Sequence, residues 1–143
     1  MHLFIIPAWF DLLFDGLVAA LAVWKGGWRE RAIAVVQLVL FLLEDRFCDL
    51  RSCRPLIPWP SVITDGLILA VCLICAVRAD RYWTLWACSF GLLALVSDFA
   101  AFIPGVTPWA WLSATLIWSY MLCAAVLWGV WTTARDRARL PAT

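Results

Sequence analysis

The sequence predicts an all-α polytopic membrane protein of about five transmembrane helices, arranged as a parallel two-helix repeat followed by a lone fifth helix. Three observations carry that expectation. Of 143 residues, 65% are hydrophobic and only 15% charged, with a mean hydropathy of +0.90; an average soluble domain is nearer half apolar and a quarter charged. A water-soluble chain of this length could not hide so much apolar surface, because small domains bury only about two-thirds of what their chains expose. The apolar residues also fall in long runs parted by clusters of charge, and tryptophans stand at the ends of those runs. At about 20 residues per span, five spans use about 100 residues and leave about 40 for loops and tails. Residues 1–143 therefore read as a single transmembrane helical domain.

The first span, residues 3–24, stops at Lys25-Gly26-Gly27-Trp28-Arg29-Glu30-Arg31. It has no basic leading segment and carries Asp11 and Asp15, so it reads as a membrane helix and not as a cleaved leader. The second span, 32–50, has a clean apolar run only over 32–43 before Glu44-Asp45-Arg46. It must carry those acids partly into the membrane or lie in the interface. The third, 61–78, ends at Arg78-Ala79-Asp80-Arg81, and the fourth, 82–103, is closed by Pro104-Gly105-Val106-Thr107-Pro108. The fifth, 109–133, runs into Arg135-Asp136-Arg137-Ala138-Arg139. Each is expected to be helical, since a segment exposed to lipid must satisfy its own backbone hydrogen bonds.

With five spans, Lys25, Arg29, Arg31, Arg78, Arg81, Arg135, Arg137 and Arg139 share one side, and only Arg46, Arg51 and Arg54 face the other. The positive-inside rule then places the N-terminus outside and the C-terminus in the cytoplasm of a bacterial-type inner membrane. Tryptophan placement is an independent check. Trp9, Trp59, Trp109 and Trp111 mark outer ends, while Trp24, Trp28, Trp83, Trp86, Trp128 and Trp131 mark inner ends; only Trp118 falls mid-span. That is the aromatic-belt pattern.

Trp9, Trp59 and Trp109 are spaced by fifty residues, as are Asp15-Gly16-Leu17 and Asp65-Gly66-Leu67, and Arg31 and Arg81. Several fixed positions recurring together suggest a duplicated hairpin. Because each hairpin returns to its starting side, the repeats would be parallel and not inverted.

The acids are unevenly placed. Seven of the ten, Asp11, Asp15, Glu44, Asp45, Asp49, Asp65 and Asp98, belong to the outer half. Helix rise puts Asp15 about 15 Å from the inner boundary, Glu44 and Asp65 about 20 Å, and Asp98 about 25 Å. A carboxylate at such depth is costly and normally faces protein or a wet cavity. The functional expectation is an outward-facing ion or proton cluster of Asp15, Glu44, Asp65 and Asp98. The structural alternative is that the acids favour helix N-termini, which suits Asp11 and Asp65, or pair with the outer-loop arginines. For Asp15 both readings stay open, since no cation lies near it in sequence.

Cys48 and Cys53 fall in the outer loop, where a disulfide could persist, and form a candidate bridge. Cys72 and Cys75, a C-x-x-C inside the third span, are expected to pack, as are Cys88 and Cys123. His2 is the only histidine. Bis-histidine haem, histidine-rich metal sites and Ser-His catalysis are thereby excluded, and no Gly-rich phosphate loop precedes a helix. Neither metal nor cofactor is expected, and no nucleic-acid surface. Ser113, Thr115, Ser119, Tyr120 and Cys123 form a polar-to-small stripe of the kind that marks helix–helix contact.

Five spans in a small tryptophan-rich chain, with Trp109-Ala110-Trp111, are similar in outline to the tryptophan-rich sensory (translocator) proteins, which bind porphyrins and sterols. The resemblance is compositional and carries over no functional residue. The leading expectation is a non-enzymatic inner-membrane protein that works by helix packing, as an accessory or scaffold subunit of a larger membrane assembly or as a homo-oligomer. Its partners would be the lipid bilayer and other membrane subunits or itself. The alternatives are an ion channel or proton-coupled carrier using the outer acids, and a sensor of a hydrophobic ligand or pigment.

Overall fold

Five helices follow one another in the computed structural model, which describes residues 8–47, 59–78 and 81–139: α1 (Ala8–Lys25), α2 (Trp28–Phe47), α3 (Trp59–Val77), α4 (Trp83–Ala100) and α5 (Pro108–Arg139). No strand occurs among the described residues. The helix ends follow from local chemistry. Gly26 N donates to Ala22 O at 2.9 Å and completes the last turn of α1. Arg137 from the end of α5 donates to Lys25 O and Gly26 O, both at 3.3 Å, and so satisfies carbonyls that a helix end leaves open. At the far end of α4, Ala101 N and Phe102 N donate to Asp98 O and Phe99 O, tightening the chain into a turn. Gly105 then adopts φ +95°, which only glycine takes without strain. Thr107 caps α5, its Oγ1 accepting from Ala110 N at 3.3 Å, and Pro108 opens the helix where a missing N–H costs nothing.

Two helices run well past the expected spans, and α3 starts two residues early, at Trp59. The cationic cluster Arg29-Glu30-Arg31 belongs to the first turn of α2, which begins at Trp28 and not at residue 32, and α5 continues through Arg139 where the expected span stops at 133. Charge marks the edge of an apolar region, but a helix continues wherever its backbone bonds can continue. Residues 101–103, expected at the end of the fourth span, lie in the turn after α4.

By length and composition, α3, α4 and α5 are apolar enough to cross a membrane, with mean hydropathies of 2.2, 1.4 and 1.7. The remaining two are more highly charged: α1 holds Asp11, Asp15 and Lys25, and α2 has a charged cluster at each end.

Neighbours in sequence are neighbours in space, and α5 closes the circle by packing on α1. Helices α2 and α5 also touch across the middle, whereas α1 meets neither α3 nor α4. One end of this bundle gathers the cations. Arg29 at the start of α2 donates to Arg78 O at the end of α3, Arg137 closes α1, and Arg81 pairs with Asp136 at 2.9 Å. Near that end Glu30, buried in the first turn of α2, accepts from Thr133 Oγ1 at 2.8 Å. Lys25, Arg29 and Arg135 lie over Trp24, Trp28 and Trp131.

The core is small and the surface large. Ala19, Ala22, Ala34, Ala87, Cys72, Cys75 and Cys123 are buried, while Leu13, Trp24 and Val77 are 63%, 74% and 87% exposed. Small residues let backbones approach closely, which drives association where the solvent is as apolar as leucine.

Candidate functional site

Asp15, in the middle of α1, turns inward. It is 9% exposed and sits against Gln37 of α2 and Cys123 of α5, themselves 5% and 1% exposed. Cys123 Sγ donates to Asp15 Oδ1 at 3.1 Å. The Gln37 amide nitrogen lies 3.4 Å from Asp15 Oδ1, 3.4 Å from Ser119 Oγ and 3.2 Å from Cys123 Sγ. An amide has two hydrogens to give, so these three acceptors compete for them. One turn before Asp15, Asp11 accepts from the Tyr120 hydroxyl, and the Tyr120 ring meets Phe14 edge-on with centroids 5.4 Å apart. Beside these groups lies a cavity of about 30 Å³, lined by Asp11, Asp15, Phe41, Leu116, Ser119 and Tyr120. That is room for a water among polar partners. The arrangement ties three helices together and can hold a proton or a water at its two carboxyls.

The other expected acids lie elsewhere. Asp98 in α4 is fully buried and accepts from Trp111 Nε1 of α5 at 3.2 Å. Next to it, Ser97 Oγ accepts from Trp118 Nε1 at 2.9 Å. Asp65, on α3, is partly exposed. Since α1 touches neither α3 nor α4, and neither Asp65 nor Asp98 lines the cavity at Asp15, the structure brings Asp15 together with Asp11 and not with these two. Glu44 lies in α2, but its side chain is outside the described residues, as are Cys48 and Cys53. Cys72, Cys75 and Cys123 are buried and unbridged, and Cys88 is partly exposed and unbridged. Among the described residues no group of three or more His, Cys, Asp or Glu side chains could hold a metal.

The polar stripe of α5 divides by direction. Ser119, Tyr120 and Cys123 reach α1 and α2, whereas Ser113 and Thr115 bond back to carbonyls of their own helix. Sequence reasoning missed Gln37. The signal was there: it is the chain's only glutamine, set in an otherwise apolar stretch of α2. Compared with protein-family models, curated proteins and solved structures, the chain matches none.

Proposed function

We propose that all five helices lie in lipid and that the protein works by helix packing, as an accessory or scaffold subunit of a larger membrane assembly or as a homo-oligomer. The observation that carries this reading is the inside-out distribution of side chains. Alanines and cysteines share the interior with Val18, Ile33, Leu122 and Val126, while many large apolar residues cover the outward helix sides. The described helix sides offer far more apolar surface than the described turns at 26–27 and 101–107, so a partner would meet the helix sides. The more charged α1 and α2 are accommodated because Asp11, Asp15 and Glu30 point at partners within the bundle, which is where a membrane protein keeps such groups. Extraction in mild detergent from the native membrane should yield a species of fixed stoichiometry larger than one chain. A monodisperse monomer with no accompanying subunit would overturn the reading.

The orientation belongs to the same proposal: N-terminus outside and C-terminus in the cytoplasm of a bacterial-type inner membrane. Its support is the gathering of Lys25, Arg29, Arg78, Arg81, Arg135 and Arg137 at one end of the bundle. A C-terminal green fluorescent protein fusion should fluoresce and a C-terminal alkaline phosphatase fusion should be inactive. An active phosphatase would reverse the assignment.

A further inference from the structure

Toward the cation-rich end, α4 and α5 border a groove of about 370 Å³, within the size range of small-molecule sites. Trp86, Phe90, Met121 and Trp128 line it, and the small Ala124 leaves it open. One lining residue sets this groove apart from ordinary lipid-facing surface. Trp83 is 4% exposed, its ring lies against Gly129, and its indole Nε1–H, itself buried, has no acceptor among the described residues. Buried indole N–H groups ordinarily find a partner. On the same two helices Trp111 has Asp98 and Trp118 has Ser97.

A neighbouring transmembrane helix is poorly suited to supply the missing acceptor, because in lipid its backbone carbonyls are committed to its own ladder. The ester carbonyl of a phospholipid is uncommitted. It lies at the interfacial depth that tryptophans favour, and Trp83 opens α4 at that end. The groove also leads to a cation. Along α5 the Trp128 and Trp131 rings stand 5.3 Å apart, and the Arg135 guanidinium lies 5.4 Å over Trp131. Helix rise puts Arg135 about 10 Å beyond Trp128, on the headgroup side. Guanidinium is the side chain best matched to a phosphate, which it can grip with two parallel bonds.

We propose that this groove binds one glycerophospholipid from the leaflet at the cation-rich end. The acyl chain lies along Phe90 and Met121, the Trp83 indole turns to bring its buried Nε1–H to an ester carbonyl, and the phosphate meets Arg135. The site goes beyond the packing role and stands whether or not a partner subunit exists. The test is native mass spectrometry of the full-length protein, delipidated and re-exposed to palmitoyl-oleoyl phosphatidylglycerol or to its ether-linked counterpart, which lacks the carbonyls. The wild type should retain one ester lipid and hold the ether lipid roughly three- to tenfold more weakly, the worth of one neutral hydrogen bond. Trp83→Phe should erase that preference, Arg135→Gln should weaken both lipids alike, and Ala124→Phe, which fills the groove from an exposed position, should abolish retention. Equal retention of the two lipids by the wild type would overturn the proposal, and that comparison needs no variant to fold. So would a wild type that keeps no lipid, or a dimer in which a second copy covers the groove.

Discussion

Replacing Gly129 with leucine should lower the stability of the bundle by more than about 3 kcal/mol, at or beyond the upper end of what overpacking ordinarily costs. A Cβ at this position would lie 2.7 Å from Trp83 Cε2 and 2.8 Å from Cδ2, where carbon atoms prefer about 3.5–4.0 Å. The obstacle is a rigid indole and not the end of a flexible chain. The ring is buried, and it belongs to the first residue of α4. Alanine is the more informative change, because two effects oppose each other. Overpacking costs about 1–3 kcal/mol, while removing a glycine from a helix interior returns about 0.8–1 kcal/mol of propensity. Gly129→Ala should therefore be mildly destabilising, by about 0–2 kcal/mol. In a Trp83→Ala background the obstacle is gone and the propensity gain remains, so the same substitution should become stabilising. Unfolding titrations in detergent micelles measure all three variants. No change of sign in the Trp83→Ala background would mean that the indole does not rest on Gly129.

The contact between Trp83 and Gly129 shows where sequence reasoning stops. Five apolar runs give five helices in the right order, because run length and charge clusters report on burial along the chain. Eight cations assigned to one side by counting loops are consistent with the contacts at that end, where Arg29 reaches Arg78 and Arg137 reaches Lys25. Helix ends were less legible. Arg29-Glu30-Arg31 looks like a loop, yet it forms the first turn of α2, because cations and an acid can leave the apolar region without breaking backbone bonds. Position along each helix was legible for the acids; direction was not. Helix rise sets how far along its helix each of Asp15 and Asp98 lies, but which helix each one faces depends on the order of packing. That order puts α5 beside α1, so Asp15 meets Cys123 across 108 residues of chain and not Asp65, fifty residues on. The mid-span Trp118 departed from the belt pattern for a similar reason. Its indole N–H is satisfied by Ser97 on the neighbouring helix, so it does not need the interface.

Gln37→Leu should be among the most damaging polar-to-apolar changes in the bundle. Among the described residues, the amide is the one side chain placed to donate to both α1, through Asp15, and α5, through Ser119 and Cys123. Its loss leaves Asp15 buried with Cys123 as its remaining donor among the described contacts. An unsatisfied buried acceptor costs about 1–3 kcal/mol. Inside membranes the range is narrower, because the unfolded segment also finds partners and measured side-chain bonds average about 0.6 kcal/mol with a maximum near 1.7. The two scales together put Gln37→Leu at about 1–2 kcal/mol. Asp15→Leu should cost a similar amount. The double variant should cost less than the sum, with a coupling of about 0.5–1.7 kcal/mol, because removing both partners leaves nothing unpaired. Asp15→Asn separates the structural contribution from any chemical one. The asparagine carbonyl still accepts from Gln37 and Cys123 in the same volume, so stability should change by less than about 1 kcal/mol. Any loss of proton or ion movement in that variant would then belong to the carboxyl itself. Strict additivity of Gln37→Leu and Asp15→Leu in the unfolding titration would show that the two side chains do not share a bond, and the link between α1 and α2 would have to be sought in their small-residue packing alone.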